Sequence, residues 1–205
     1  MATTIYDKIA RCYVTVCEMM EDRRSLEADE MRYMRAFGHD EVVAMAKSAS
    51  IFSIDIGDAL CVIFYTGKFS MSTFKPYIEK ADGFKQTILI LPEKLTAMNM
   101  KAIAERQKKA DLAGAARTIL QTFVMPELLY NITHHRLVPK HEVVSEEDDI
   151  LRVIKDYNVK NRSQLPIILR TDPVAKYFGM KPGQLAKITR ISPSAGEYIV
   201  FRCCV

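Results

Sequence analysis

The stretch Gln164-Leu165-Pro166-Ile167-Ile168-Leu169-Arg170-Thr171-Asp172-Pro173-Val174-Ala175-Lys176-Tyr177-Phe178-Gly179-Met180-Lys181-Pro182-Gly183-Gln184 carries the densest local signals of the chain. Asp172 before Pro173 reads as an N-cap and first helical residue, because the carboxylate accepts from orphan backbone N–H groups and proline has no N–H to leave unpaired. Gly179 suits the position just past the helix, where the backbone turns left-handed without a Cβ penalty. The helix between them is therefore about two turns long, with Val174, Tyr177 and Phe178 packing inward. Lys181-Pro182-Gly183-Gln184 reads as a tight turn, proline early and glycine where φ must be positive.

Working outward, Leu185–Ile191 alternates Ala186 and Ile188 with Lys187 and Thr189, the period of a strand. A turn-rich loop over residues 192–197 leads to a second strand, Tyr198–Val205. Upstream, Ser145 is expected to cap a helix whose first turn is acidic and whose buried face is Ile150, Leu151, Ile154 and Tyr157. Pro139 stops any helix before that, and His134-His135-Arg136 reads as a short linker. The boundary is placed near His134, giving domains of residues 1–133 and 134–205.

The N-terminal half has a different texture. Ile5, Ile9, Tyr13, Val16 and Met20 recur at helical steps within residues 3–22. Two more helices are expected, near Ala28–Phe37 with Met31 and Met34 on one side, and near Asp40–Lys47. The period then changes. Residues 51–56 alternate as a strand does, Gly57-Asp58 reads as a hairpin turn, and Leu60–Tyr65 is a continuous apolar run, as in a strand covered on both faces. Helix 71–82, strand 87–91, helix 96–113 with Thr96 as cap and Ile103 and Leu112 facing inward, strand 118–123 and a short helix over 126–133 follow. Strands alternating with helices imply a three-layer α/β domain. The second domain reads as a small α+β unit.

Composition narrows the function classes. The chain has 205 residues, 49% of them hydrophobic, and no apolar run approaches the roughly 20 residues needed to cross a bilayer. The N-terminus lacks the basic head and apolar core of a secretory signal, so an intracellular protein without membrane partners is expected. Five cysteines without framework spacing point to free thiols. Cys12 and Cys17 would splay on a helix, and His134, His135 and His141 have no cysteine nearby, so no metal site and no cofactor are expected. The net charge of +4 lies entirely in residues 134–205, with 12 basic against 8 acidic side chains, whereas residues 1–133 hold 17 of each. The C-terminal module is thus mildly basic, compatible with lying near nucleic acid, although it has no aromatic-rich basic motif of the kind single-strand binders use.

The C-terminal half resembles the assembly domain of the fifth subunit shared by the eukaryotic nuclear RNA polymerases, a domain that is similar to one of the small archaeal polymerase subunits. The resemblance is carried by Leu137-Val138-Pro139-Lys140-His141, by Gln164-Leu165-Pro166, by the Asp172-to-Gly179 helix with Pro173, Val174 and Tyr177, by Gly183-Gln184, and by Ala195-Gly196 with Tyr198 and Arg202. More loosely, the N-terminal order is similar to the jaw domain of that eukaryotic protein, particularly Pro126–Thr133 leading into Leu137. Glu197 and Pro193-Ser194 depart from the family pattern. The resemblance implies a nuclease-like jaw fold without nuclease activity, a C-terminal module that docks on the largest subunit, and other polymerase subunits as partners. It leaves a contact with downstream duplex DNA open and implies no small-molecule substrate. Archaeal relatives lack the jaw, and the N-terminal half departs far from the cellular pattern, which points to a large cytoplasmic DNA virus. The location would be the host cytoplasm or virion if viral and the nucleus if cellular.

A metal-dependent nuclease is the enzymatic reading to test. Two-metal hydrolysis needs clustered carboxylates, an acid on one strand and an acid-x-Lys on the next. Asp55 and Asp58 could supply the first. Lys68 is present on the second, but Thr66 stands where a carboxylate ligand is needed. No Gly-x-Ser-x-Gly elbow, Gly-x-x-x-x-Gly-Lys loop or Gly-x-Gly-x-x-Gly occurs. Two functions remain: a non-catalytic polymerase subunit, and a stand-alone DNA-binding or nuclease-like accessory protein. The C-terminal motifs discriminate, since an independent nuclease has no reason to carry them.

Overall fold

The change of hydrophobic period at Ile51 builds a hairpin. In the computed structural model, which describes residues 4–67, 70–81, 83–112, 119–192 and 196–205, β1 (Ile51–Ile56) runs antiparallel to β2 (Leu60–Tyr65). Phe52 lies opposite Phe64, Ile54 opposite Val62 and Ile56 opposite Leu60. Gly57 takes φ +50° in the turn between them, a left-handed geometry that glycine adopts freely. All of β2 is buried, and such a strand needs cover on both faces. The chain supplies it with helical crossovers: α4 (Met71–Ala81), β3 (Gln86–Leu91), α5 (Ala97–Leu112) and β4 (Ile119–Val124) follow, and β2, β3 and β4 are parallel in the order β1-β2-β3-β4.

On one face, Ile51, Cys61, Ile63, Tyr65, Leu89 and Leu91 pack with Ile103 of α5 and Tyr77 of α4. On the other, Phe64 stacks on Phe52 with ring centres 5.0 Å apart and meets Tyr13 of α1 (Ile5–Arg23) at 6.4 Å. Helices α2 (Ala28–Ala36) and α3 (His39–Ser48) pack beside α1 and bury Met34, Val42 and Ala46. The result is the three-layer α/β arrangement. Thr4 caps α1 reciprocally with Asp7: the Asp7 amide donates to Thr4 Oγ1 at 3.2 Å and the Thr4 amide to Asp7 Oδ2 at 2.9 Å. The α1 stripe begins one turn later than expected. Ile5 is exposed, while Ile9, Cys12, Tyr13, Val16, Met19 and Met20 are buried.

The chain divides into two compact units, Met1–Tyr130 and Asn131–Val205. In the second, β5 (Lys140–Val144), β6 (Ile167–Ile168), β7 (Leu185–Ser192) and β8 (Gly196–Cys204) form one sheet in the order β5-β7-β8-β6. Strand β7 is antiparallel to both its neighbours, and β6 is parallel to β8. Helices α6 (Glu147–Asp156) and α7 (Pro173–Tyr177) cover opposite faces at the Leu185 end. Ile150, Val153 and Ile154 of α6 pack with Leu185, Cys203 and Phe201. Ala175, Phe178 and Met180, from α7 and the turn after it, pack with Ala186, Ile188, Cys204 and Ile168. This is the small α+β unit.

Four local expectations are corrected. The helix over 126–133 is instead two 3-10 turns, Met125–Leu128 and Ile132–His134; the Asn131 carboxamide oxygen accepts from Thr133 N at 2.9 Å and starts a fresh turn where a helix would have continued. Ser145 does not cap α6. Glu146 holds the cap position without a side-chain bond, and Glu147, Asp148 and Asp149 fill the first turn, where the helix dipole favours negative charge. Leu151 and Tyr157 are not part of its buried face; they are 52% and 48% exposed. Strands β5 and β6 have no counterpart among the expected elements. The former is an edge strand of half-buried residues and the latter is two residues long. The expected positions of Lys68, Ala195 and Thr118, and the inward face assigned to Leu112, lie outside the described residues and side chains.

Candidate assembly surface

Helix α7 is held by its ends. Asp172 Oδ1 accepts from Val174 N at 2.9 Å and from Ala175 N at 3.4 Å, with Pro173 as first helical residue. At the other end Gly179 takes φ +63°. Its amide donates to Lys176 O at 3.1 Å and the Met180 amide to Ala175 O at 2.9 Å. This is the paired 6→1 and 5→2 closure of a Schellman motif, with the apolar contact between Met180 and Ala175 that accompanies it. Helix α6 ends the same way: Asn158 is left-handed at φ +51°, and Val159 N donates to Ile154 O at 3.1 Å.

The turn after α7 is type II. Gly183 has φ +89° and Gln184 N donates to Lys181 O at 3.2 Å. Gln184 Oε1 accepts from Lys181 N at 2.7 Å and stiffens the same turn. Gly183 N donates to Cys204 O at 2.9 Å, and Arg162 Nη1 donates to Gly183 O at 3.2 Å. Arg162 also forms an ion pair with Glu147 at the start of α6. One arginine therefore ties the turn to the opposite helix, a role that nothing in its local sequence signals.

The other motif residues are framework. Pro139 O accepts from His141 Nδ1 at 2.7 Å. Burial holds the His141 pKa below its usual range, and Arg190 and Arg202 lower it further; the Pro139 bond and Asp172 oppose the shift. Gln164 Oε1 accepts from Lys160 N at 2.7 Å, Leu165 is buried with Ile150, and Pro166 O accepts from Cys203 N at 2.8 Å. Tyr177 is buried with its ring 5.3 Å from that of Phe178, whereas Val174 is half-buried. Gly196 takes φ +69° at the start of β8. Arg202 Nη1 donates to Ile167 O at 3.1 Å. Of the cations flanking α7, Arg170 and Lys181 are exposed and Lys176 is half-buried.

Around this framework stand large apolar side chains in solvent. Leu137 is 75% exposed and Ile191 88%, with Ile167, Leu169, Tyr198 and Ile199 between 39% and 55%. Read from sequence, Ile167-Ile168-Leu169 belongs to the fold-building signals. Only Ile168 of the three is buried, and its neighbours alternate outward as β6 dictates.

In the N-terminal unit, Asp55 and Thr66 of the nuclease reading are engaged elsewhere. Asp55 forms an ion pair with Lys80 of α4, and its Oδ1 accepts from the Cys61 thiol at 3.2 Å. Lys80 Nζ also donates to Ser53 Oγ at 2.7 Å. Thr66 Oγ1 donates to Ser50 O at 3.0 Å, and Asp58 is exposed in the hairpin turn. Among the described residues, no three His, Cys, Asp or Glu side chains gather as a metal site would require.

A family profile described as RNA polymerase Rpb5, C-terminal domain, matches residues 130–204. Subunit rpabc1 of DNA-directed RNA polymerases I, II and III from Dictyostelium discoideum is 33% identical over 198 residues, covering 93% of this chain and 94% of that protein. The chain belongs to the Rpb5 family of RNA polymerase subunits. The corresponding RPABC1 subunit of Caenorhabditis briggsae is 30% identical over 213 residues, 97% of this chain and 96% of the relative. That of Caenorhabditis elegans is 45% identical over 91 residues, covering 44% and 42% of the two chains. As an Rpb5-family protein, the chain is a non-catalytic subunit of a DNA-directed RNA polymerase and acts in transcription.

Proposed function

We propose that the C-terminal unit docks this subunit on the largest subunit of its polymerase, and that the N-terminal unit forms part of the jaw near downstream duplex DNA. The observation that carries the reading is the set of large apolar side chains that the unit of about 75 residues (131–205) leaves in solvent, Leu137 and Ile191 above all. Adjacent exposed apolar groups mark a protein contact, and Ile191 and Ile199 are diagonal neighbours on one face of β7 and β8. The residues proposed as the assembly motif support that display. Asp172, Pro173, Val174, Tyr177 and Gly179 orient α7; Gly183 and Gln184 form its exit turn; Pro139, His141, Gln164, Leu165, Pro166, Gly196, Tyr198 and Arg202 position the sheet. The two units act as separate domains, divided in the segment 130–134. The subunit works wherever its polymerase transcribes: the nucleus for a cellular polymerase, the host cytoplasm or virion for that of a cytoplasmic DNA virus.

The test is recovery of the largest subunit by the tagged chain. Pro173→Gly and Gly179→Val should reduce recovery more than Asp58→Ala in the N-terminal hairpin, with circular dichroism separating lost contact from unfolding. Recovery at wild-type yield by a chain lacking residues 134–205 would transfer the docking role to the N-terminal unit.

A further inference from the structure

Strand β8 is paired along its whole length on one side and over two residues on the other. The amides of Cys203 and Val205 donate to Pro166 O and Ile168 O at 2.8 and 3.0 Å, whereas Cys204 N donates to Gln184 O on the β7 side. Backbone groups of a strand alternate in direction. Residues 197, 199 and 201 therefore direct their N–H and C=O groups to the same side as Cys203, where β6 stops. No strand lies there among the described residues. The Tyr157 side chain reaches in, its Oη donating to Ile199 O at 3.3 Å.

Proteins blunt such edges with charge and proline. The opposite edge of this sheet, β5, is treated that way. Pro139 precedes it, and Lys140, Glu142 and Lys187 form an ion-paired cluster across it. The part of β8 that β6 does not reach reads Glu197-Tyr198-Ile199-Val200-Phe201, with one charge at its far end. Its two faces also differ. Ile199 and Phe201 share one face with Tyr157, whose ring meets Phe201 at 5.4 Å. Tyr198 and Arg202 share the other with Arg190, which pairs with Tyr198, and with His141, which senses the charge of both arginines.

We propose that the open edge of β8 receives an extended segment of another polymerase subunit as a fifth strand, apolar at the positions beside Ile199 and Phe201 and acidic at those beside Tyr198 and Arg202. This rests on the reading that the C-terminal unit docks in the polymerase, and it specifies the chemistry of that contact. The backbone groups of Ile199 and Phe201 supply the pairing and the two faces supply the specificity, as in other strand-addition contacts.

The experiment compares residue-resolved amide hydrogen exchange in the free full-length chain and in the complex formed with the remaining subunits of its polymerase. The amides of Ile199 and Phe201 should slow by about tenfold or more in the complex, while those of Val200 and Arg202, already bonded to β7, change little. Arg190→Glu should weaken assembly by about tenfold, and more at low salt than at high. Assembly with Ile199 and Phe201 still exchanging as in the free chain overturns the proposal and leaves the docking reading intact. Assembly unaffected by Arg190→Glu overturns the acidic face of the incoming strand. Protection that appears in the isolated chain and rises with its concentration assigns the edge to a second copy and overturns the proposal. Failure of the wild-type chain to enter the complex removes the docking reading and this inference with it.

Discussion

Gly183→Ala should unfold the C-terminal unit more easily than any other single-methyl change in it. Gly183 sits at φ +89°, where an L-residue pays about 1–3 kcal/mol of backbone strain. A Cβ there would also lie 3.1 Å from Arg162 Nη1. That atom is the end of a flexible side chain, so the contact can relax, but relaxation disturbs the bonds from Arg162 to Gly183 O and Glu147. Strain dominates, and the expected loss is about 2 kcal/mol. For a unit of this size that corresponds to a fall in Tm of roughly 8–16 °C. The assay is thermal and urea unfolding of the full chain, followed at resolved amide resonances of residues 185–188. Gly183→Asn should cost less, because asparagine tolerates positive φ. In an Arg162→Ala background the cost of Gly183→Ala should fall by no more than about 0.5 kcal/mol, the low end of coupling for residues in contact, because the strain belongs to the backbone. A loss for Gly183→Ala below that same figure, or a cost that vanishes with Arg162, would refute the strain argument.

Asp172→Ala removes the cap of α7 and should cost about 0.5–2 kcal/mol, measured by urea unfolding, while Asp172→Asn retains most of it. The His141 pKa lies below 6.5 in the folded chain because burial disfavours the imidazolium; the unfolded state binds the proton first, so stability is full above about pH 6.5 and falls as the pH drops below it. Replacing His141 with Asn, whose amide can still donate to Pro139 O, should flatten that slope. Burial pushes the Cys12 and Cys61 thiols up to about 12 and Cys17 to about 11, so these three should react with a thiol reagent at pH 8 only on unfolding. With magnesium or manganese the purified chain should cleave neither DNA nor RNA; cleavage abolished by Asp55→Ala would overturn the reading of the N-terminal unit.

The elements with strong local chemistry are legible in the sequence. Asp172-Pro173, Gly179 and Pro182-Gly183 each name their own backbone geometry, and all are found in it. The continuous apolar run of β2 calls for cover on both faces before any helix is placed against it. What stays hidden depends on distant partners. β6 exists because Cys203 and Cys204 lie beside Ile167 and Ile168, and two residues carry no period. β5 has its pattern masked by the charges that guard its edge. Leu151 and Tyr157 fit the helical stripe of α6, yet Leu151 stands in solvent and Tyr157, just past the helix end, lays one side of its ring on Phe201 and leaves the rest exposed. The Arg162 bridge, like the open edge of β8, is a property of strand order and has no local signature.

The placement of β6 sets an order of events during synthesis. Ile167 and Ile168 are made about 36 residues ahead of Cys203 and Cys204, the backbone that pairs with them, a lag of roughly 2–7 s at ribosomal speed. The turn at Gly183 likewise waits for Cys204. Until that segment arrives, Ile167-Ile168-Leu169 is a short apolar run without a neighbour, with Pro166 at its head as the one residue that discourages pairing with other chains. Chains cut before Cys203 would therefore keep that run unpaired and the turn at Gly183 untied, so the last three residues decide whether the sheet closes.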